Sequence, residues 1–255
     1  MTDPVKRRYR SPLRQAQAAS TRLAILQAAG RLFIEHGYVL TSIDAIAEAA
    51  GVSRATVFNS VGGKAAILKA AYDVALVGDD APVALPDRPE SRAVMARTDP
   101  AAFLDGYAGI MTDVHSRLAP IYEAVRGAAS ADPEAREVWE KVVAERLGGA
   151  RNVVAGVKAR GGLRENLDPV AAADAVWALN DPGLYHLLVN QRGWAPPAFR
   201  DWLSEALRWQ LMSTDRFDFP AELPTSRLRL SAESPPESRP KRTTLNARIE
   251  RDQGR

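Results

Sequence analysis

Arg54, Thr56 and Asn59 are the side chains of this sequence whose type and spacing point most directly to chemistry. If residues 54–60 form a helix that begins after Ser53, these three groups share its outer face. A guanidinium can pair with guanine, a carboxamide can make two hydrogen bonds to adenine, and a hydroxyl can bond to several bases. This face therefore predicts recognition of base edges in a nucleic-acid groove. The other residues that it would present are Ala55, Phe58 and Ser60.

Two short helices joined by a glycine turn would position that face. Ser42 suits the N-cap of the first helix, and Ser53 suits the N-cap of the second. Gly51 lies between them and can adopt the positive φ of a tight turn. Two helices with this junction form a helix-turn-helix, whose second helix lies in the major groove. The helix N-termini at Ser42 and Ser53 and the ammonium of Lys64 would then hold phosphates. A helical hairpin with no role in DNA binding is the alternative.

The formal net charge of +3 conceals a polarity along the chain. Residues 1–20 hold five basic residues and one acidic residue, and residues 21–70 hold five and three. Residues 71–215 hold 15 basic and 21 acidic residues, whereas residues 216–255 hold nine and six. Basic ends around an acidic middle favour a polyanion-binding part joined to a part with another task. A solvated asymmetry without function is the alternative.

Helical periodicity and proline-containing breaks divide the chain into five segments. Apolar residues recur at helical spacing and no stretch alternates as a strand does, so the sequence predicts an all-α fold of about nine helices. Asp99, Asp132 and Asp168 each precede a proline, and this pair is typical of a helix start. The predicted segments are a flexible basic arm (1–20), a helix-turn-helix DNA-binding domain (21–76), a connection (77–99), a helical ligand-binding and dimerisation domain (100–213) and a disordered tail (214–255).

Several linked motifs run through the first of these domains. They are ILQAAGRLF at 25–33, HGY at 36–38, TSI at 41–43, IAEAAGVS at 46–53, TVF at 56–58 and GK at 63–64. With these motifs, residues 21–76 resemble the DNA-binding domain of the TetR family of bacterial transcriptional regulators. The resemblance implies a helical C-terminal domain that dimerises and binds a small-molecule effector. It also implies a regulator, here expected to be a repressor, that binds double-stranded DNA at a pseudo-palindromic operator as a homodimer.

The same resemblance implies roles for individual residues. Ser42 and Lys64 would grip phosphates. Phe58 stands where the family usually has an aromatic residue, often a tyrosine whose hydroxyl meets the DNA backbone. Because Phe58 lacks that hydroxyl, its expected role is either packing or contact with a thymine methyl group. Ser60 and Val61 also depart from the family, in which histidine and phenylalanine are frequent at these two positions.

Aromatic and polar residues around a predicted kink are the candidates for an effector site. Pro182 lacks an N–H and would kink a helix of residues 168–190, which frees the carbonyl of Ala178. Aromatic side chains beside polar groups are typical of ligand pockets, although they are as typical of an ordinary core. The candidate effector-binding residues are Phe103, Tyr107, Met111, Trp139, Trp177, Asn180, Asp181 and Tyr185.

The last two predicted helices carry more large apolar residues than a lone peripheral pair needs. Two such helices from each subunit would form a four-helix interface between two copies of the chain. Burial in the core of a single subunit is the alternative for each residue. The residues concerned are Trp177, Leu184, Leu188, Trp202 and Leu207.

Composition argues against other classes of protein. The chain has no cysteine, hence neither disulfides nor thiolate ligands. His36, His115 and His186 lack the spacing of a metal site, and no apolar run reaches the ~18–20 residues of a membrane span. We therefore expect no metal, cofactor or catalytic residue, no membrane contact and a cytoplasmic location. The alternatives are a helical small-molecule carrier or enzyme with an incidental helix-turn-helix, and an activator of the same family.

Overall fold

Residues 12–212 are described by the computed structural model of the chain. Within this range all regular structure is helical apart from one isolated bridge between Leu163 and Met212, and the all-α prediction is confirmed. No helix of residues 12–212 is long and apolar enough to cross a membrane. The helices are α1 Pro12–Leu40, α2 Ile43–Ala49, α3 Arg54–Ser60, α4 Lys64–Val77, α5 Pro89–Met95, α6 Pro100–Ala128, α7 Pro133–Ala159, α8 Pro169–Leu179, α9 Pro182–Tyr185 and α10 Pro196–Leu211, with a 3-10 turn at Leu85–Asp87 and a π-helix at His186–Gln191.

Aspartate caps fix the starts of the helices in the C-terminal half. Asp99 accepts a hydrogen bond from the backbone N–H of Ala102 at 2.6 Å, which caps α6. Asp132 and Asp168 cap α7 and α8 in the same manner. Each aspartate satisfies N–H groups that have no partner within the helix, and the proline after it needs none. The three helix starts predicted from the Asp-Pro pairs are therefore confirmed.

The long helix α6 lies at the centre of the molecule. Helices α1 and α4 pack against it from the N-terminal domain, and α5, α7, α9 and α10 pack against it from the rest of the chain. Leu104, Leu118 and Ile121 are almost completely buried along it. Since α6 contacts helices on both sides, it is the element against which the two domains pack.

The first helix begins earlier than the sequence predicted. Residues 12–20 lie in α1, so the prediction of a flexible arm through residue 20 was wrong for these positions. Pro12 suits the first turn of a helix, and the alanine and glutamine residues after it favour the helix even though residues 13–20 are exposed. The rest of the predicted arm and the predicted tail of residues 214–255 lie outside the described residues.

Two proline-based expectations also need correction. The connection of residues 77–99 is not irregular throughout, because Pro89 starts α5, whose Val94 is buried. A proline in a helix interior ordinarily ends or kinks the helix, yet α6 continues through Pro120. Pro120 removes the hydrogen bond to the carbonyl of Ser116, and Ser116 is exposed, so water can satisfy that carbonyl. Burial of the flanking Leu118 and Ile121 holds the helix together across the proline.

Pro182 has a larger effect than the predicted kink. Helix α8 ends at Leu179, and α9 starts afresh at Pro182. Asp181 caps the new helix by accepting a hydrogen bond from the N–H of Gly183 at 2.7 Å. The result is a break of two residues, Asn180 and Asp181, whose backbone and side-chain polar groups face the interior of the domain.

Candidate nucleic-acid interface and effector site

The turn between α2 and α3 has the geometry that the sequence predicted. Gly51 has a φ of 67°, in the left-handed region that glycine adopts without strain. The N–H of Val52 donates to the carbonyl of Ala47 at 3.0 Å, which closes the turn. Ala47 and Val57 are buried where the two helices meet, so the opposite face of α3 points away from the core. The helix-turn-helix prediction is confirmed in its fold.

Arg54 is held in place on the exposed face of α3. Its guanidinium donates to Asp44 of α2 at 2.6 Å, and it lies 5.8 Å from the centroid of the Phe58 ring. Phe58 itself is 46% exposed, which is unusual for a phenylalanine that serves only packing. Ala55 and Asn59 are exposed on the same face, and Ser60 is half-buried. The structure therefore brings the predicted base-reading residues together on one surface.

Ser42, Ser53 and Thr56 take part in the caps of the two helices. The hydroxyl oxygen of Ser42 accepts a hydrogen bond from the N–H of Ala45 at 3.0 Å. The hydroxyl oxygen of Ser53 accepts a hydrogen bond from the N–H of Thr56 at 3.1 Å. The hydroxyl oxygens of Ser53 and Thr56 lie 2.8 Å apart. A hydroxyl that accepts in a cap keeps its own proton for donation. The exposed Ser42 hydroxyl can therefore cap α2 and donate to a phosphate at the same time.

Lys64, the predicted phosphate-binding lysine, is connected to the C-terminal domain. Its ammonium donates to the carbonyl of Val39 at 3.3 Å and lies 4.2 Å from the centroid of the Tyr38 ring. Partial burial lowers the pKa of this ammonium. The hydroxyl of Tyr38 donates in turn to Asp132 at 3.0 Å, and Asp132 is the N-cap of α7. A chain of contacts therefore runs from the N-terminal end of α4 to the first turn of α7.

An arginine whose side chain is only 11% exposed lies at the centre of the candidate effector site. Arg146 of α7 donates to the hydroxyl of Tyr122 at 2.9 Å and forms an ion pair with Asp181 at the same distance. It also donates to the backbone carbonyls of Trp177 and Asn180 at 2.9 and 3.1 Å. The guanidinium lies over the rings of Tyr122 and Trp177, at 5.3 and 4.9 Å from their centroids. Arg146 thus satisfies carbonyls that the break at Pro182 leaves without helical partners.

Most of the predicted effector-binding residues surround this arginine. The hydroxyl of Tyr107 accepts a hydrogen bond from the amide of Asn180 at 2.8 Å, and Tyr122 donates to Asp181 at 2.9 Å. Trp139 reaches the cluster through its ring, whose centroid is 5.3 Å from that of Tyr122.

Within residues 12–212, the remaining three predicted residues make no hydrogen bond with Arg146 or with the polar groups around it. Tyr185 packs on His115 and Phe199, with ring centroids 6.1 and 5.0 Å away. Met111 is buried on α6. Phe103 faces the far end of α7, where the Arg160 guanidinium lies 4.2 Å from its ring centroid. The structure therefore separates Phe103 from the polar groups of the cluster.

The sequence did not predict three residues of the cluster as effector-binding residues, namely His115, Tyr122 and Arg146. A signal for Arg146 exists in the sequence. Residues 142, 150 and 153 of α7 are buried apolar residues, and residue 146 lies on the same stripe. An arginine on a buried stripe must be paired, which makes it a marker of a polar site. His115 follows Tyr107 and Met111 at four-residue spacing and shares their face of α6.

Two surface cavities lie between the N-terminal domain and α6, away from the predicted effector residues. One, of about 280 Å³, is lined in part by Tyr38 and Glu123. The other, of about 250 Å³, is lined in part by Gly30, Ala71 and Arg117. Both therefore lie at the contact of the two domains rather than inside the C-terminal domain.

The chain is similar in sequence to known bacterial regulators. Residues 25–71 match the family model described as bacterial regulatory proteins, tetR family. The uncharacterized HTH-type transcriptional regulator YdeS of Bacillus subtilis (strain 168) is 31% identical over 173 residues, which cover 67% of this chain and 79% of YdeS.

Solved structures show the same fold. NalD, the secondary repressor of the MexAB-OprM multidrug efflux pump in Pseudomonas aeruginosa, is 26% identical with a TM-score of 0.55, and the match covers 76% of this chain and 97% of NalD. A transcriptional regulator from Saccharomonospora viridis in complex with choline matches with a TM-score of 0.56 at 18% identity, over 76% of this chain and 98% of that one.

A helix-turn-helix with an exposed hydrogen-bonding face, joined to a separate helical domain, defines a DNA-binding transcriptional regulator. The chain belongs to the TetR family of bacterial transcriptional regulators. The resemblance found in the sequence is therefore confirmed. Regulators of this family are not enzymes, which removes the alternative of a helical enzyme with an incidental helix-turn-helix.

Proposed function

We propose that this regulator is a repressor that binds a pseudo-palindromic operator as a homodimer and is released by a small-molecule effector. The observation that carries this proposal is the exposed face of α3, in a helix-turn-helix whose neighbouring helices α1 and α4 pack on the helical domain that holds the polar cluster around Arg146. NalD is a repressor and the Saccharomonospora regulator binds choline. Repression and the binding of a small molecule therefore each have a precedent among proteins of similar structure.

The proposed DNA contacts divide into two kinds. Arg54, Thr56 and Asn59 read base edges in the major groove, and Phe58 contacts a thymine methyl group or a sugar. Ser42, Ser53 and Lys64 hold phosphates and fix the orientation of the domain on the duplex. Ala55 and Ser60 are small enough to let the backbone of α3 approach the groove. Half-sites lie one helical turn or more apart, ~34–36 Å for simple dimers with this motif.

Apolar residues exposed at the C-terminal helices support the dimer. Val170 is 65% exposed, Leu187 is 49% exposed and Trp209 is 58% exposed. Leu184, Leu188 and Trp202 are half-buried nearby in sequence. Leu207, which the sequence offered for this interface, is completely buried within its own subunit, so it belongs to the core. A second copy that covers the exposed residues would remove them from water.

Effector release requires a connection between the two domains, and two contacts of the structure can supply it. Tyr38 joins the Lys64 end of α4 to Asp132 of α7. Lys69 of α4 pairs with Glu145, the residue before Arg146, at 3.2 Å. An effector that moves α7 beside Arg146 would therefore pull on α4 and change the spacing of the two α3 helices. By linkage, operator DNA weakens effector binding by the same factor.

The proposed DNA contacts are tested by substitution of Lys64. We expect Lys64→Ala to weaken binding to all DNA sequences alike and to lower the slope of log affinity against log salt by about one, because one phosphate contact is lost. Fluorescence anisotropy on duplexes from the DNA beside the gene, measured at several salt concentrations, checks this. Lys158→Ala, which removes an exposed lysine of α7, is the matched control. Equal slopes for the two variants would contradict the assignment of Lys64.

The proposed dimer is tested at Leu187. We expect Leu187→Glu to raise the dimer dissociation constant by about a hundredfold or more, since an unpaired carboxylate buried in an apolar interface costs at least about 3 kcal/mol. Sedimentation equilibrium measures the dissociation constant directly. Val83→Glu places the same charge at an exposed apolar residue of the connection and should leave the dimer intact. A Leu187→Glu protein that remains dimeric at nanomolar concentration would place the interface elsewhere.

A further inference from the structure

The buried polar atoms without a hydrogen-bond partner among residues 12–212 include three of the C-terminal domain. They are the indole nitrogen Nε1 of Trp177, the amide oxygen Oδ1 of Asn180 and the ring nitrogen Nδ1 of His115. A buried polar atom without a partner costs about 1–3 kcal/mol. Native proteins therefore keep few such atoms, and a group of them calls for an explanation such as a ligand.

The three atoms belong to one region of the domain. Tyr107, Met111 and His115 recur every four residues on α6 and form a stripe about 12 Å long. The hydroxyl of Tyr107 accepts a hydrogen bond from Asn180 in the break after α8, and Trp177 lies three residues earlier, in the last turn of α8. The hydrogen bond from Asn180 therefore places the break after α8 beside the Tyr107 end of this stripe, and His115 lies at its other end.

The two charged side chains of this cluster already pair with each other. Arg146 and Asp181 form an ion pair, and Arg146 directs its other N–H groups at the Tyr122 hydroxyl and at two carbonyls. Burial, with a smaller contribution from Arg146, lowers the pKa of His115 to about 3, so its imidazole is neutral at pH 7. A charged ligand would lose its hydration without gaining an opposite charge, which is unfavourable.

We propose, on the basis of the proposed function, that the effector is an uncharged molecule with an apolar aromatic body and a group that both donates and accepts hydrogen bonds. Trp177 Nε1 donates to this group and Asn180 Oδ1 accepts from it. His115 Nδ1 lies farther along the stripe and meets a second polar atom of the effector.

The apolar part of the effector lies against the α6 stripe. Tyr107 and Tyr185 supply aromatic faces, which suit a flat ring system. Met111 lies between Tyr107 and His115, and its unbranched side chain can change rotamer to admit a ligand. The site is therefore built for an amphipathic, neutral aromatic compound rather than for an acid or an amine.

Three probes with the same ring system test the charge preference. They are 2-naphthol, 2-naphthoate and 2-naphthylmethylammonium, which are neutral, negative and positive at pH 7. Isothermal titration calorimetry on the full chain without DNA should give 2-naphthol an affinity at least tenfold higher than either charged probe. Equal or tighter binding of a charged probe would overturn the proposal, and so would failure of all three probes to bind. Since no DNA is present, these outcomes are independent of operator binding, which the Lys64 variant tests.

A pair of tryptophan variants tests the assigned donor. Trp177→Phe keeps an aromatic ring and removes Nε1, so the affinity for 2-naphthol should fall about fivefold, the effect of one hydrogen bond. The affinity for 2-methylnaphthalene, which has no polar group, should stay the same. Trp194→Phe is the control, because the ring of Trp194, which precedes α10, packs against Trp202 rather than against the α6 stripe. Equal effects of Trp177→Phe on both probes, or of both variants on 2-naphthol, would reject Nε1 as the donor.

Discussion

Replacement of Arg146 by methionine is expected to lower the free energy of unfolding by about 3 kcal/mol, the lower end of the cost of unpairing a buried ion pair. The side chain of Arg146 is 11% exposed and that of its partner Asp181 is 27% exposed, so water can offset only part of the loss. The substitution also removes the hydrogen bonds to Tyr122 and to the carbonyls of Trp177 and Asn180. Methionine fills a similar volume, which keeps the cavity contribution small.

Urea denaturation at a fixed protein concentration measures this effect, since the stability of a dimer depends on concentration. Arg151→Met is the matched control, because Arg151 is exposed on the same helix. The double variant Arg146→Met with Asp181→Asn should recover much of the loss, since no charge is then left unpaired. A single variant as stable as the control would show that the ion pair contributes nothing, and an unrecovered double variant would assign the loss to the carbonyl contacts.

The difference between the two domains explains what could be predicted from the sequence. The helix-turn-helix is determined by residues close together in the sequence. Ser42 and Ser53 cap α2 and α3, Gly51 adopts the positive φ of the turn, and the buried Val57 holds α3 against the core. All of these signals lie within twenty residues, so local chemistry was enough to predict the fold of this region. The exposed residues of α3 followed directly, because the exposed side of α3 is the side opposite Val57.

The effector site depends on contacts between residues far apart in the chain. Arg146 meets Tyr122 and Asp181, which are 24 and 35 positions away in the sequence. Periodicity indicates which face of a helix is buried but not which helix will cover it. Tyr107, Trp177 and Asn180 could be proposed from their types, whereas the role of Arg146 required the packing of α6, α7 and α8. The buried polar atoms without a hydrogen-bond partner are a property of that packing alone.

The prolines also show that local sequence signals alone do not determine where a helix begins or ends. At Asp99, Asp132 and Asp168 the proline follows a capping residue, and both local signals agree on a helix start. At Pro120 the local signal predicted a division, and burial of the neighbouring apolar residues outweighed it. At Pro182 the preceding Asp181 again provides a cap, so the chain starts a new helix rather than bending the old one.

Substitution of Arg54 by alanine is expected to remove the preference for one base pair of each operator half-site, with a loss of discrimination of about 1–3 kcal/mol, or about 5- to 150-fold. Arg54 is the cation of α3 and projects from its exposed face. Its contact with Asp44 at 2.6 Å restricts the guanidinium before DNA is bound, so less freedom is lost on pairing with guanine. Competition binding with duplexes that vary one base pair at a time measures the discrimination.

Two further variants separate base reading from charge. Arg54→Lys keeps the positive charge but lacks the planar fork, so it should lose most of the discrimination while the salt dependence of binding stays near that of the native protein. Asp44→Asn frees the guanidinium, and we expect it to raise the affinity for mismatched duplexes more than for the operator, because a carboxylate facing the DNA is also removed. If Arg54→Lys discriminates as well as the native protein, Arg54 contacts phosphate only, and Asn59 and Thr56 remain to read the bases.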